Sequence, residues 1–388
     1  MSAPQRNNSL AAGRCVVVGL SGGVDSAVAA ILLRQQGYAV HGVTLETWHA
    51  SPESAEHHTA TEAVAAHLGI PLVRCDVRQA FYTRVVEPFL DGYAKALTPN
   101  PCVRCNPILK FATLLEEADR IGAAWIATGH YARVARSVDG SAHLLRARTG
   151  EKDQSYALYR LTQRHLSRLL LPLGDLGGKP QVREIARALG LPAAEAKESQ
   201  DLCFVGSGGY AGLLATLRPD AMRPGPILGE TGSRLGDHQG LARYTVGQRD
   251  GLGITAPYRL YVLELDVERN ALIVGPRERL ARESCWLTDV TFTNGAPPLT
   301  EPALRASDPV GTGRPRRFEA AGRIRYRSEL TPITVTPLAL GEAHIRFAEP
   351  QVGVSPGQSL VFYSGDEVLG GGIITKHIAT HGPQVDDN

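Results

Sequence analysis

Ser21-Gly22-Gly23-Val24-Asp25-Ser26 follows the apolar run Cys15-Val16-Val17-Val18-Gly19-Leu20 and leads into Ala27-Val28-Ala29-Ala30-Ile31-Leu32-Leu33. The first run has the length and β-branched content of a buried strand. The second places Val28, Ile31 and Leu32 on one helical face and stops near Gly37. Two glycines and two hydroxyls therefore sit where a strand turns into a helix. Such a turn aims free backbone N–H groups and the positive end of a helix dipole at whatever lies above it, which suits phosphate or pyrophosphate. The loop lacks Gly-Lys-Ser/Thr and so is not that of kinases and GTPases. It also lacks G-x-G-x-x-G, the dinucleotide fingerprint. Without a lysine in the motif, backbone donors would hold a leaving pyrophosphate while chemistry occurs at the α-phosphate.

Outward from this loop, strand and helix patterns alternate. Tyr38–Val43, Leu72–Cys75 and Ala124–Thr128 read as strands; Ala60–His67, Phe81–Ala96 and Ile108–Arg120 read as helices. This alternation predicts a doubly wound parallel sheet with helices on both faces. The loop and Gly129-His130-Tyr131 both follow strands and fall on the carboxyl edge, where such sheets bind ligands. Residues 150–220 are mixed and helical, and from about 223 short strands separated by Gly, Pro and Asn predict one or two small β-domains, barrel-like in character. The expected division is a flexible N-terminus 1–14, a catalytic domain 15–215, a central β domain 216–282, a C-terminal β-barrel 283–375 and a flexible tail 376–388.

The chain has 388 residues, 43% apolar, and a net charge of +2, which does not by itself indicate nucleic-acid binding. Arg314, Arg316, Arg317, Arg323, Arg325 and Arg327 nevertheless cluster against one acid, Glu319. No run is long and apolar enough for a membrane helix and the N-terminus lacks a signal-peptide core, so a cytoplasmic protein is expected, with no membrane partner. Its six cysteines are then expected to be reduced. Cys15, Cys75 and Cys285 read as small core residues. Cys102 and Cys105 form C-x-x-C between the Thr98–Pro101 turn and the Ile108 helix, and Cys203 lies in Ser199-Gln200-Asp201-Leu202-Cys203-Phe204. A zinc site would need a second pair or matching histidines, and His57-His58 point apart on a helix. A redox pair would sit in a thioredoxin-like unit. Cys203 could instead complete a three-cysteine iron–sulfur site.

Further motifs appear in order: Leu97-Thr98-Pro99-Asn100-Pro101-Cys102-Val103-Arg104-Cys105-Asn106, Ala127-Thr128-Gly129-His130-Tyr131, Lys152-Asp153-Gln154-Ser155-Tyr156, Cys203-Phe204-Val205, Tyr244–Arg249, Ile324-Arg325-Tyr326 and Ser355-Pro356-Gly357-Gln358. Together with the first loop they resemble the bacterial tRNA-specific 2-thiouridylases over residues 15–375. The resemblance implies an adenine nucleotide alpha-hydrolase-like α/β domain, a small central domain and a C-terminal barrel. It implies ATP-dependent replacement of O2 by sulfur in the wobble uridine of the tRNAs for Lys, Glu and Gln. Gly19, Leu20, Ser21, Gly22, Gly23, Val24, Asp25 and Ser26 would hold ATP with Mg²⁺, and Leu45 and Gly129 would lie near the adenosine. Cys105 would be the nucleophile and Cys203 the persulfide carrier, charged by a cysteine desulfurase or a relay protein. Asn100, Pro101 and Cys102 would face the target base, and His130, Lys152, Asp153, Gln154, Arg325, Tyr326 and Gln358 would contact tRNA. This chain departs from the pattern at Cys102, where many members carry Asp, at Leu45, where Met is frequent, and at Ala60-Thr61.

In the mechanism so implied, attack of O2 on the α-phosphate lets AMP leave, the loop takes the pyrophosphate, and sulfur arrives from Cys203. A thiolate would be favoured by nearby basic residues and the N-terminus of the Ile108 helix. Two other classes fit the loop: another ATP-pyrophosphatase-type adenylating ligase, and a non-enzymatic adenine-nucleotide sensor. Neither needs two distant cysteines.

Overall fold

The computed structural model describes residues 14–50, 54–195, 202–206, 208–298, 317–338 and 341–376. Of the expected features, Ser199–Asp201, Arg314 and Arg316 lie outside these residues, as do both expected flexible ends apart from Arg14 and Lys376.

Five parallel strands form the first sheet, in the order β3-β2-β1-β4-β7: β1 (Cys15–Gly19), β2 (Ala39–Glu46), β3 (Leu72–Asp76), β4 (Trp125–Ala127) and β7 (Leu169–Leu170). Val16, Val17 and Val18 are fully buried. Successive strand residues face opposite sides. Val16 and Val18 accordingly pack with α1 (Val24–Gln35) and α2 (Ser54–Leu68), through Val28, Leu33 and Val64. Val17 packs on the other side with Phe111 and Leu114. The sheet is thus covered on both faces, as the apolar runs predict. Strand order reverses at β1, which has β2 on one side and β4 on the other. The Ser21–Ser26 loop leaves β1 at that switch point, where open α/β sheets bind ligands.

Two helices differ from the sequence reading. The one expected at Phe81–Ala96 is α3, running from Arg78–Phe81 through a π-helical turn at Tyr82–Val86 into Glu87–Ala94. The one expected to start at Ile108 starts seven residues earlier. This α4 comprises Pro101–Cys105, a π turn at Asn106–Lys110, and Phe111–Ile121. Asn100 is its N-cap: Oδ1 accepts from the Cys102 and Val103 N–H groups at 3.1 and 3.4 Å. Pro101 sits at the first helical position, where its missing N–H is harmless. Asn-Pro is a start signal that the prolines on either side of Asn100 disguise as a turn.

The central sheet has the order β10-β11-β8-β9: β8 (Gly225–Gly229), β9 (Arg234–His238), β10 (Tyr261–Asp266) and β11 (Ala271–Gly275). Ile227, Val262, Leu272 and Val274 form its core. The C-terminal strands are β12 (Ala281–Phe292), β13 (Phe318–Arg323), β14 (Thr331–Pro337), β15 (Ala343–Val352), β16 (Ser359–Ser364) and β17 (Glu367–Thr375). Their order is β12-β15-β14-β13-β16-β17, and β12 also pairs with β17, closing a six-stranded barrel.

The barrel is joined to the α/β domain by a hairpin that the sequence reading did not resolve. Its strands, β5 (Ala132–Arg136) and β6 (Ala142–Arg146), extend the barrel's sheet beyond β17. Alternation along β16 explains the join. Leu360 and Phe362 point into the barrel with Phe318 and Ile345. Val361 and Tyr363 point out and are fully buried with Leu144, Tyr156 and Tyr159 of the α/β domain. A strand buried on both faces reads as a continuous apolar run, and Leu360-Val361-Phe362-Tyr363 is one.

Candidate nucleotide and thiol site

At the phosphate loop, Gly22 has φ +73°, a conformation that favours glycine, and Gly23 caps α1 with no side-chain hydrogen bond. The first N–H groups of α1 are therefore open to an anion. Ser26 Oγ donates to the Gly23 carbonyl at 3.0 Å and accepts from the Ser21 N–H at 3.2 Å, folding the loop on itself. Gly129 lies directly against the loop: a Cβ there would fall 2.6 Å from the Asp25 carbonyl carbon. This close approach builds a cradle from backbone alone, which fits a phosphate group.

The sequence reading found no lysine for this loop, yet the fold supplies one. Lys179, the first residue of α5 (Lys179–Ala188), places Nζ 2.8 and 2.7 Å from the two carboxylate oxygens of Asp25. The Tyr131 hydroxyl donates to Asp25 Oδ1 at 2.7 Å. Lys179 is 154 residues from Asp25 in sequence, and no local spacing signals it.

Cys102 and Cys105 are three residues apart on the first turn and a half of α4, and so share a face. Cys203 joins them. It is held by Phe204, which is buried with edge-to-face contacts to Phe81 and Phe89 at centroid distances of 5.7 and 5.2 Å. The Phe204 carbonyl accepts from the Ala50 N–H at 3.3 Å. All six cysteines are free thiols; Cys102 and Cys203 reach solvent and Cys105 is half-buried. The charges of the three thiolates would repel one another, and the Lys110 ammonium is near enough to favour each. Lys110, on the π turn, also faces His130. Lys110 thus neighbours both the three thiols and His130, which follows Gly129 in the chain. Among the described residues, no three His, Cys, Asp or Glu side chains are gathered closely enough to hold a metal ion.

These thiols are not the ready thiolates that the sequence suggested. Protein atoms packed around the sulfurs push all three up despite Lys110, even though Cys102 and Cys203 keep an edge open to solvent. The helix N-terminus lies at Pro101, not Ile108, so it does not face Cys105. In the ligand-free protein, alkylation of Cys203 by iodoacetamide at pH 8 is expected to be at least tenfold slower than that of a free thiol with a pKa of about 8.5. Its rate should still be rising at pH 10. A plateau below pH 9 would show a thiolate stabilised beyond what Lys110 provides here.

The residues expected at tRNA divide into three groups. Arg325 and Tyr326 are exposed on the turn after β13, with Tyr326 edge-to-face on Tyr156 at 6.1 Å and electrostatically coupled to Cys102. Lys152 is half-buried, as is His130, which is bonded to Thr128 Oγ1 at 2.7 Å and kept neutral by burial and Lys110. Asn100, Gln154 and Gln358 spend side-chain atoms on the protein. Asn100 caps α4, Gln154 Oε1 accepts from the Tyr131 N–H at 2.9 Å, and Gln358 Nε2 donates to the Thr98 carbonyl at 2.7 Å. Pro101 is buried. Asp153 differs most from its expected role. Its side chain is 1% exposed, accepts from Arg323 at 3.0 Å, from Ser155 Oγ, and from the Ala147 and Ser155 N–H groups, and presents no surface to a nucleic acid. Leu45, half-buried, is the penultimate residue of β2, pairs with Cys75 and packs with the Val17 face of the core.

Residues 14–207 match the family described as the tRNA methyl transferase HUP domain, 214–276 the tRNA methyl transferase PRC-barrel domain, and 303–374 the aminomethyltransferase beta-barrel domain. The chain is 44% identical over 371 residues to the tRNA-specific 2-thiouridylase MnmA of Geobacter metallireducens, a match covering 92% of this chain and 96% of that one. It is 42% identical over 386 residues to the protein of the same name from Roseiflexus sp., covering 93% and 99%. With that of Syntrophotalea carbinolica it shares 43% over 363 residues, covering 92% and 98%.

Proposed function

Because the chain belongs to the tRNA-specific 2-thiouridylase family, we propose that it forms 2-thiouridine in tRNA. At finer grain, it consumes ATP to replace O2 of the wobble uridine in the tRNAs for Lys, Glu and Gln. The observation that carries this reading is the convergence of Cys105 and Cys203, 98 positions apart, around Lys110, which also neighbours His130 beside the Gly129 that touches the Ser21–Ser26 loop. An adenylating ligase or a nucleotide sensor would have no use for that pair.

ATP supplies the activation: its α-phosphate, taken by O2, makes AMP a leaving group. Gly22, Gly23 and the open N–H groups of α1 would hold the departing pyrophosphate, and Mg²⁺ bound with the nucleotide would offset its charge. Cys203 carries the persulfide. Either its terminal sulfur attacks C2, AMP leaves, and Cys105 then attacks Cys203 Sγ so that the sulfur on C2 departs as the thiouridine sulfur, or Cys105 attacks Cys203 Sγ first and releases sulfide in place to attack C2. Both routes expel AMP and end with a Cys105–Cys203 disulfide, which a thiol reductant must open. The wobble base has to leave its stack to reach this edge, which costs a few kcal/mol in a loop. Arg325 and Tyr326, exposed on the turn after β13 with Tyr326 near Cys102, supply backbone contact and a stacking surface.

A second reading is favoured by Cys102, a third thiol for which the persulfide route has no role. Three cysteines are the ligand set of an iron–sulfur cluster with one open site. The described conformation does not gather them for it, and iron and sulfide analysis of anaerobically purified protein separates the two readings.

The function is tested in cells lacking this protein, whose tRNA should lose the retarded mobility of 2-thiouridine in mercury-containing gels. Unchanged retardation would sink the reading. Arg325→Ala should weaken tRNA binding and lower the slope of log affinity against log salt by about one. An unchanged slope would make the arginine segment a solvated surface only.

A further inference from the structure

Asp25 is the one carboxylate in the Ser21–Ser26 loop, and an unneutralised carboxylate would repel a phosphate ligand. Lys179 neutralises it through both oxygens, and the Lys179 side chain is only 11% exposed. The ammonium reaches this place against a local penalty, since it begins α5, where the helix dipole disfavours a cation. Its delivery is built into the backbone. A Cβ at Gly174 would fall 1.9 Å from the Ala132 carbonyl oxygen, so that segment must pass directly over β5. Gly178, at φ +86°, then turns the chain into α5. Val182 and Ala186 lock α5 into the core shared by Val24, Ala27 and Val28 of α1. The first turns of α1 and α5 are thereby joined by the Lys179–Asp25 pair.

We infer that Lys179 is the phosphate-binding cation of this loop. Its ammonium rests on Asp25; with a pyrophosphate or triphosphate seated on Ser21–Ser26 it contacts a β- or γ-phosphate oxygen. The inference rests on the ATP-using reading above, and deepens it. The loop has no lysine of its own, and the tertiary fold supplies the charge that phosphate loops with Gly-Lys-Ser/Thr encode locally.

Calorimetric titration of the full chain with inorganic pyrophosphate and Mg²⁺ tests it, with thermal melting to verify folding and tRNA binding as the second readout. Lys179→Met should bind pyrophosphate at least tenfold more weakly than the parent chain, Lys179→Arg should recover part of the loss, and both should bind tRNA normally. The double variant Asp25→Asn/Lys179→Met distinguishes contact from mere neutralisation. It should regain only the part lost to the uncompensated carboxylate and stay at least severalfold weaker than the parent chain. Parent-like binding by Lys179→Met, or fully restored binding by the double variant, would overturn the inference while leaving the ATP-using reading standing. A parent chain that binds tRNA but neither pyrophosphate nor ATP would overturn both.

Discussion

Cys105→Ser and Cys203→Ser are each expected to form no thiolated tRNA in a single turnover from persulfide-loaded enzyme, whereas Cys102→Ser retains a substantial fraction. The asymmetry follows from chemistry, because all three thiols lie near one another. One sulfur must carry the persulfide and a second must displace it, so neither has a substitute. A serine hydroxyl is close to a thiol in size but neither accepts sulfane sulfur nor forms a disulfide. Cys102 is exposed at the head of α4, and its main-chain N–H is already satisfied by Asn100. Replacing its side chain leaves the helix cap intact. The loss at Cys105 and Cys203 should exceed a thousandfold, equivalent to about 4 kcal/mol in the barrier. Complete loss in Cys102→Ser, with ATP and tRNA binding preserved, would show that the three thiols act as one unit and would favour the iron–sulfur reading.

Asp153→Asn is expected to destabilise the protein by about 3–5 kcal/mol, the range for breaking a buried ion pair. Asp153 links the α/β domain to the barrel. Its carboxylate meets Arg323 of β13 at 3.0 Å and Arg146 of β6 at 3.5 Å. The asparagine keeps an oxygen for the Ala147 and Ser155 N–H groups, but its NH2 then faces the Arg323 guanidinium and Ser155 Oγ, so the loss combines the missing charge with a donor set against a donor. Arg323, about nine-tenths buried, then lacks a counter-ion, and its Nε already has no hydrogen-bond partner. Chemical denaturation measures the change, and limited proteolysis should show earlier separation of the barrel. A loss below about 1 kcal/mol would reduce the pair to the weight of a surface salt bridge.

The sheet and its loop were legible because their signals are local. Three consecutive valines, two glycines and a helical apolar face leave one arrangement, and alternation of elements fixes the layers. The boundaries of α4 were less legible, because Pro99 and Pro101 on either side of Asn100 imitate a turn, although Asn-Pro is also a helix start. The barrel strands were found, but not the β5–β6 hairpin that joins them, because its pairing partner β17 lies over two hundred residues away. Lys179 illustrates the same limit at the site, since its partner is 154 residues distant and α5 was read only as part of a mixed segment. Asp153 was assigned through a resemblance of motif, which does not report burial. The raised thiols were missed for a related reason. Lys110 was visible in sequence, but the aromatic surroundings of Phe204 that oppose it are assembled only by folding.

The central claim is most directly tested by supplying purified, persulfide-loaded protein with unmodified tRNA and ATP, and counting products. Nucleoside mass spectrometry should find 2-thiouridine at the wobble position, with one pyrophosphate and one AMP released for each one formed, and none without ATP. Thiouridine formed without ATP, or pyrophosphate released with no thiouridine in the presence of an intact persulfide, would contradict it.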